Sequence, residues 1–172
     1  CVGMIGENVE VAIRMGLMRD EAALAARQIA VFTVSLYASP EYLAIHKPPE
    51  EPEGLMEHAA LCVLARTGEP MPWLLTRGAE QWEGIPPSRV TANSPELLMR
   101  MAIAGVGITV VNDHFAIAYL QRGELVQVLP EWRLPPVSAW AVFPGRRLMP
   151  ARTRVFLDAL AANFSGPECR AI

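Results

Sequence analysis

Lysine is nearly absent. Lys47 is the single one among 172 residues, and the longest basic cluster is Arg146-Arg147. With 15 Lys plus Arg against 18 Asp plus Glu and a formal charge of −3, this segment lacks the clustered cations that displace the counterions of a nucleic acid, which argues against its wrapping a polyanion. An anionic ligand must be held locally, by arginine, hydroxyls or backbone amides, which favours a small molecule over an extended one. Cysteine is also scarce. Cys1, Cys62 and Cys169 are odd in number, far apart and without a C-x-x-C pair, which argues against a disulfide framework and a thiolate metal site and suits a reducing cytoplasm. No apolar run approaches the roughly 20 residues of a membrane span, since Arg27, Gln28, Arg100 and Asn112 interrupt the candidates. The opening Cys1-Val2-Gly3-Met4 has neither a basic region nor an initiator methionine, and we expect an excised piece with more chain before it. There is no solenoid-length repeat or low-complexity tract.

What is present is ordinary globular composition, 52% apolar and 19% charged, enough for one good domain or two small lobes. The most informative stretch runs from Asn93 to Val111. Ser94 can cap a helix and Pro95 suits its first position, where a missing N–H costs nothing. Leu98, Met101, Ala102 and Gly105 recur at the spacing of one helix face, and Gly105 and Gly107 permit a tight turn into the strand Ile108 to Val111. In alternating α/β units small ligands sit beyond the carboxyl ends of strands, where helix N-termini present free N–H groups. The start of this helix is therefore the first candidate binding site.

Elsewhere, Val9, Val11, Ile13 and Met15 alternate with polar or small residues, the period of a strand packed on one face and ending at Gly16. Gly16 to Glu21 is a loop, and Ile29 to Leu36 is expected to be one long strand. Ser39-Pro40-Glu41 repeats the helix-starting device and leads a short helix through Tyr42 and Leu43. Lys47 to Gly54 is a solvated connector, followed by a helical turn and a strand from Ala60 to Ala65. Arg66 to Pro72 is a loop, and a second Gly/Pro-rich loop lies between Trp73-Leu74-Leu75 and Ser88 to Ala92. Asn112 or Asp113 caps a helix packing Ala116, Tyr119 and Leu120 and stopping at Gly123. Leu125 to Leu129 and Val137 to Phe143 are strands around the connector Pro130 to Pro136. Pro150 starts a last helix with the stripe Leu157, Leu160, Ala161 and Phe164. Two crossings, near Phe32 and Leu134, would join two lobes and leave a cleft between them, a hinge that a bridging ligand could close.

No catalytic constellation emerges. Cys1 could suggest an N-terminal nucleophile but reads better as a fragment boundary. His58 and Cys62 are four apart, yet Cys62 lies in an apolar strand-like run with no third ligand nearby. His46 and His114 sit in loop-like and cap-like settings. There is no G-x-S-x-G elbow, and Gly105-Val106-Gly107 follows its helix and lacks the third glycine of a dinucleotide fingerprint.

Several segments, taken in order, carry a family resemblance: Glu10-Val11-Ala12-Ile13-Arg14 before Gly16, Ser35-Leu36-Tyr37-Ala38-Ser39-Pro40-Glu41-Tyr42-Leu43, Ala104-Gly105-Val106-Gly107-Ile108, Gly123 to Pro130 with Trp132, Ala141-Val142-Phe143-Pro144, Arg146-Arg147, and Val155-Phe156-Leu157-Asp158. Spanning roughly residues 9 to 164, they resemble the effector-binding domain of LysR-type transcriptional regulators. The resemblance implies an α/β, two-lobed, periplasmic-binding-protein-like (type 2) fold with its first lobe incomplete. Residues 1–32 would form part of subdomain I, 33–134 subdomain II, 135–164 the return to subdomain I, and 165–172 a tail. It implies a small-molecule inducer, expected to be a small organic acid, in the interlobe cleft. It also implies a homodimer or homotetramer, and DNA contact only through an N-terminal winged helix-turn-helix that this segment omits. Neither a cofactor nor a metal is implied. Glu10 stands where Asp is usual and Asn112 where Pro is common.

By motif position the family's pocket-lining places fall at Met15, Phe32, Thr67, Trp73, Asn93 and Ser94. Each has a plainer role open to it. Asn93 and Ser94 can be simple caps, Phe32 and Trp73 core rings, Thr67 part of a solvent loop, Met15 a core filler, and Arg14 a surface partner of Glu10. The expected ligand sets its negative end near the N–H groups of Glu96 and Leu97. Two other classes stay open: a solute-binding protein of related fold, which a leader peptide would mark, and an α/β enzyme, which turnover dependent on Cys1 or a histidine would mark.

Overall fold

The computed structural model describes residues 11–16, 24–65, 67–144 and 151–163. The chain divides into two compact units: Cys1–Thr33 with Pro136–Ile172 as unit 1, and Val34–Pro135 as unit 2. Val9, Glu10 and its pairing with Arg14, the loop after Gly16, Arg66, Arg146-Arg147, Pro150, Phe164 and the 165–172 tail lie outside the described residues.

Unit 2 is built on a five-stranded sheet, made from β3 (Val34–Ala38), β4 (Ala60–Val63), β7 (Ser88–Ala92), β8 (Ile108–Asn112) and β9 (Val126–Val128), in the order β7-β4-β8-β3-β9. β4 runs parallel to β7 and β8, while β3 runs antiparallel to β8 and β9. The inner strands β3, β4 and β8 are short and largely apolar because both faces are covered, while the edge strand β7 exposes Ser88, Arg89 and Thr91. Neighbouring residues divide between the faces with the period of two that a pleat imposes. Leu36 joins a core with Tyr42, Leu55, Cys62, Trp73, Leu75, Ile108 and Trp132. Tyr37 joins the opposite core with Leu61, Leu98, Met99, Ala102 and Val111.

The helices α1 (Pro40–Ile45), α2 (Pro95–Ile103) and α3 (Asp113–Gln121), with a 3₁₀ helix at Pro52–Glu57, complete these layers. The α2 helix buries Leu98, Met99 and Ala102 and ends where Gly105 turns to φ +76°. Gly105 N–H donates to the Ala102 carbonyl and Val106 N–H to that of Met101, satisfying two terminal carbonyls that would otherwise be orphaned. In α3, Ala116 is buried, but Leu120, expected to pack, is exposed.

Two readings of strand and loop are corrected. The run Ile29 to Leu36 is two strands, β2 (Leu24–Phe32) and β3, interrupted at Thr33 and built into different sheets. The apolar pattern is continuous because both halves are strands; only their partners change, Phe32 facing Val137 and Val34 facing Asn112. The supposed loop between Trp73 and Ser88 is largely a hairpin, β5 (Trp73–Arg77) with β6 (Glu80–Gly84). Gly78 at φ +60° turns it, and Arg77 fastens it by a 2.7 Å bond to Glu80 and by stacking 4.5 Å from the Trp132 ring centroid.

Unit 1 contains an antiparallel sheet in the order β1-β10-β2, with β1 Ala12–Met15 and β10 Val137–Pro144, and the helix α4 (Ala151–Asn163). Leu157, fully buried, packs with Ile29, Ala30, Phe32, Ala139 and Ala141, joined by Val11 and Leu160. The expectation that β1 packs its apolar face holds only for Val11. Ile13 and Met15 are 46% and 56% exposed, because among the described residues α4 packs on β2 and leaves the β1 margin uncovered.

Candidate functional site

The carboxyl ends of the three parallel strands meet at one edge of the unit 2 sheet. Val63 of β4 pairs with Ala92 of β7, and Leu64 N–H donates to the Ala92 carbonyl at 2.9 Å. Past this edge β7 gives way to Asn93 and Ser94. Asn93 is exposed and Ser94 half-buried. Ser94 holds an extended backbone, φ −117° and ψ 102°, and its Oγ accepts the Leu97 N–H at 3.3 Å. The N-terminus of α2 is thereby aimed at the edge, carrying the helix's partial positive charge.

A second capped helix starts nearby in the fold. Asn112, the last residue of β8, accepts the His114 N–H through Oδ1 at 2.9 Å, and the adjoining Asp113 carboxylate accepts from Tyr37 Oη at 3.0 Å. Of the two caps open in the sequence, Asn112 and Asp113, it is Asn112 that caps α3. After β4 the chain makes a tight turn, Gly68 N–H donating to the Ala65 carbonyl at 3.0 Å with φ +90° at Gly68, and Thr67 is exposed within it.

Thr67, Asn93 and Ser94 thus belong to loops at one sheet edge. Trp73 is different: 4% exposed, it is part of the core with Leu36 and Trp132, because the segment after the turn folds back along β4 through Met71 N–H to the Val63 carbonyl. Phe32 and Met15 belong to unit 1, Phe32 in its core and Met15 exposed at the end of β1.

The charges here are paired locally. Glu96 accepts from Arg100 at 2.9 Å across one helical turn, and this partnership raises the guanidinium pKa above its ordinary value. Away from the edge, Cys62 is fully buried and burial pushes its thiol pKa up, opposite to what a nucleophile needs. Among the described residues no group of three or more His, Cys, Asp or Glu is arranged to hold a metal. A shallow recess of about 300 Å³ lies at the other, amino end of the sheet, lined by Glu57, His58, Ala59, Pro87, Ser88 and Arg89. It is open to solvent and distinct from the loops that carry Ser94 and Asn112.

The LysR substrate binding domain family matches residues 1–165. The HTH-type transcriptional regulator PtxR of Pseudomonas aeruginosa is 31% identical over 164 residues, covering 94% of this chain and 51% of that protein. Among solved structures, the regulatory domain of CrgA from Neisseria meningitidis superposes with a TM-score of 0.72 at 28% identity, covering 94% of this chain and 78% of that one. The regulatory domain of AphB from Vibrio vulnificus gives 0.71 at 29% identity, covering 90% and 75%. The chain spans about half the length of the curated relatives it matches. The fold is the α/β, type 2 periplasmic-binding-protein-like fold of such regulatory domains, and the relatives are transcriptional regulators. This chain belongs to the LysR substrate binding domain family.

Proposed function

We propose that this chain is the sensing part of a cytoplasmic transcription regulator and that it binds a small organic acid at the carboxyl edge of the unit 2 sheet. One observation carries this reading: the capped start of α2 follows a parallel strand directly, with Ser94 Oγ on Leu97 N–H. A carboxylate brought to that turn would meet the Glu96 N–H, which has no partner within the first helical turn, together with the Asn93 amide and the Ser94 hydroxyl. Thr67 adds a hydroxyl from the neighbouring loop. Trp73, also in unit 2, would offer an apolar contact on shifting from its buried position. DNA contact belongs to a helix-turn-helix elsewhere in the full protein, and ligand occupancy would act on it by changing how copies of the chain pair as dimers or tetramers.

Thermal unfolding with a panel of small mono- and dicarboxylates, each against its neutral amide, tests the reading. At a concentration one hundred times the dissociation constant, a true ligand stabilises by about 2.7 kcal/mol. The expected result is stabilisation by an acid but not its amide, lost in Ser94→Phe with the circular dichroism spectrum unchanged. Stabilisation that is equal in Ser94→Phe rejects this position for the site.

A further inference from the structure

At the amino end of the unit 2 sheet, away from the proposed ligand loops, a buried hydrogen-bond relay ties three elements together. Ala59, between the 3₁₀ helix and β4, donates its N–H to Tyr42 Oη of α1 at 2.9 Å. Its carbonyl accepts the Ile108 N–H at the head of β8, also at 2.9 Å, and the next residue, Ala60, donates to the Pro87 carbonyl at 3.0 Å. One residue thus clamps the start of β4 to both α1 and β8. Tyr42 Oη lies 3.2 Å from His58 Nδ1, with both side chains buried. Oη accepts from Ala59 and can donate its own proton to Nδ1, an arrangement that needs Nδ1 bare. In that tautomer the His58 proton sits on Nε2. With that tautomer the relay closes around a neutral imidazole.

The groups around His58 come from each neighbouring element. From α1 and its end come Tyr42 and His46, whose rings lie 5.8 and 6.4 Å from that of His58. Lys47 offers its backbone, its ammonium being taken by Glu50 at 3.0 Å. Glu57 precedes His58, and Ser88 and Arg89 of β7 line the same recess. Of these only Glu57 is anionic. Burial first, and then the neighbouring His46, hold the His58 pKa below its usual 6.5, against the pull of Glu57. The open recess of about 300 Å³ beside it gives solvent protons a way in.

We propose that His58 is a proton-operated latch that holds α1 and β8 to the start of β4 and releases them on acidification. A proton from solvent adds to Nδ1, the new N–H turns toward Tyr42 Oη and competes with Ala59 N–H for its lone pairs, and the tyrosine proton loses its acceptor. The folded pKa lies below the unfolded one, so the latch contributes fully above about pH 6.5 and loses its contribution as pH falls through the lowered folded value.

Nitrogen-resolved NMR of the intact 172-residue chain tests this directly. At pH 7.5 the expected tautomer of His58 is Nε2–H, titrating below 6.5. On acidification the Ala59 and Ile108 amides should exchange faster, relative to their intrinsic rates, by up to roughly tenfold for each unit of pKa depression. His46→Gln, at an exposed side chain, should move the onset to higher pH without unfolding the chain, and Tyr42→Phe should remove the pH dependence of the Ala59 amide. An Nδ1–H tautomer at neutral pH, a His58 pKa at or above 6.5, or pH-independent protection of both amides would overturn the latch.

Discussion

Gly107 shows how one position can carry a constraint from a distant part of the chain. A Cβ there would lie 2.2 Å from the Ala59 carbonyl oxygen and 3.2 Å from the Ala59 Cβ, so the head of β8 could not keep its bond from Ile108 N–H to that carbonyl. Gly107→Ala is expected to cost roughly 3 kcal/mol or more, read as a lower denaturation midpoint in urea. Gly123 is the contrast. Its φ is +69° with nothing within 4 Å of the added carbon, so Gly123→Ala carries only the left-handed backbone penalty of roughly 1 kcal/mol. The sequence marked Gly105 and Gly107 alike as turn residues. Only Gly105 has the positive φ of one; the demand on Gly107 arises from Ala59, and local spacing holds no trace of a neighbour that remote. His58 was illegible for the same reason. Its partner Tyr42 is sixteen positions earlier, and a lone histidine after an acidic connector gave no sign of burial.

The Ser-Pro-Glu device occurs twice among the secondary elements, and its two copies are unequal. Ser39 is 2% exposed and its Oγ accepts the Tyr42 N–H at 3.1 Å; the Ser94 bond is longer, at 3.3 Å, and more open to water. Alanine at a cap costs roughly 0.5–2 kcal/mol. Ser39→Ala should fall near the top of that range because it strands a buried N–H, and Ser94→Ala near the bottom, a difference that paired urea titrations would resolve. Both helices could be read from residue order because capping is local chemistry. So could the strand from Ile108 to Val111 and the Asn93-Ser94 turn that follows β7. The break at Thr33 could not, since Phe32 and Val34 are equally good strand residues, and what separates them is the identity of the partner strand. The hairpin was hidden as well: Glu80, Gln81 and Glu83 supply no apolar alternation, and the apolar anchors of β5–β6 are Trp73, Leu75 and Trp82. Trp73 was assigned to a pocket by motif position; its burial follows from the fold-back of that segment along β4.

At the scale of the molecule, unit 2 has its own two cores, one on each side of its sheet, and its chain enters on β3 and leaves from β9, which are neighbours with Leu36 opposite Val128. A peptide of residues 34–135 is accordingly expected to fold alone, with dispersed amide resonances and cooperative thermal unfolding; a featureless spectrum would show that unit 1 is needed to hold it. Within it, amide exchange should be slowest in β4 and β8, which lie inside the sheet, and faster in the edge strand β7 and the β5–β6 hairpin. The adjacency of the first and last strands has one more consequence. A segment whose two ends emerge side by side behaves as a cassette: its native ends can be spliced with a short linker and new ones opened at the exposed Gly78-Ala79 hairpin tip without cutting a ladder of the main sheet. A circular permutant made in this way would keep the same strand neighbours while reversing which of them leaves the ribosome first.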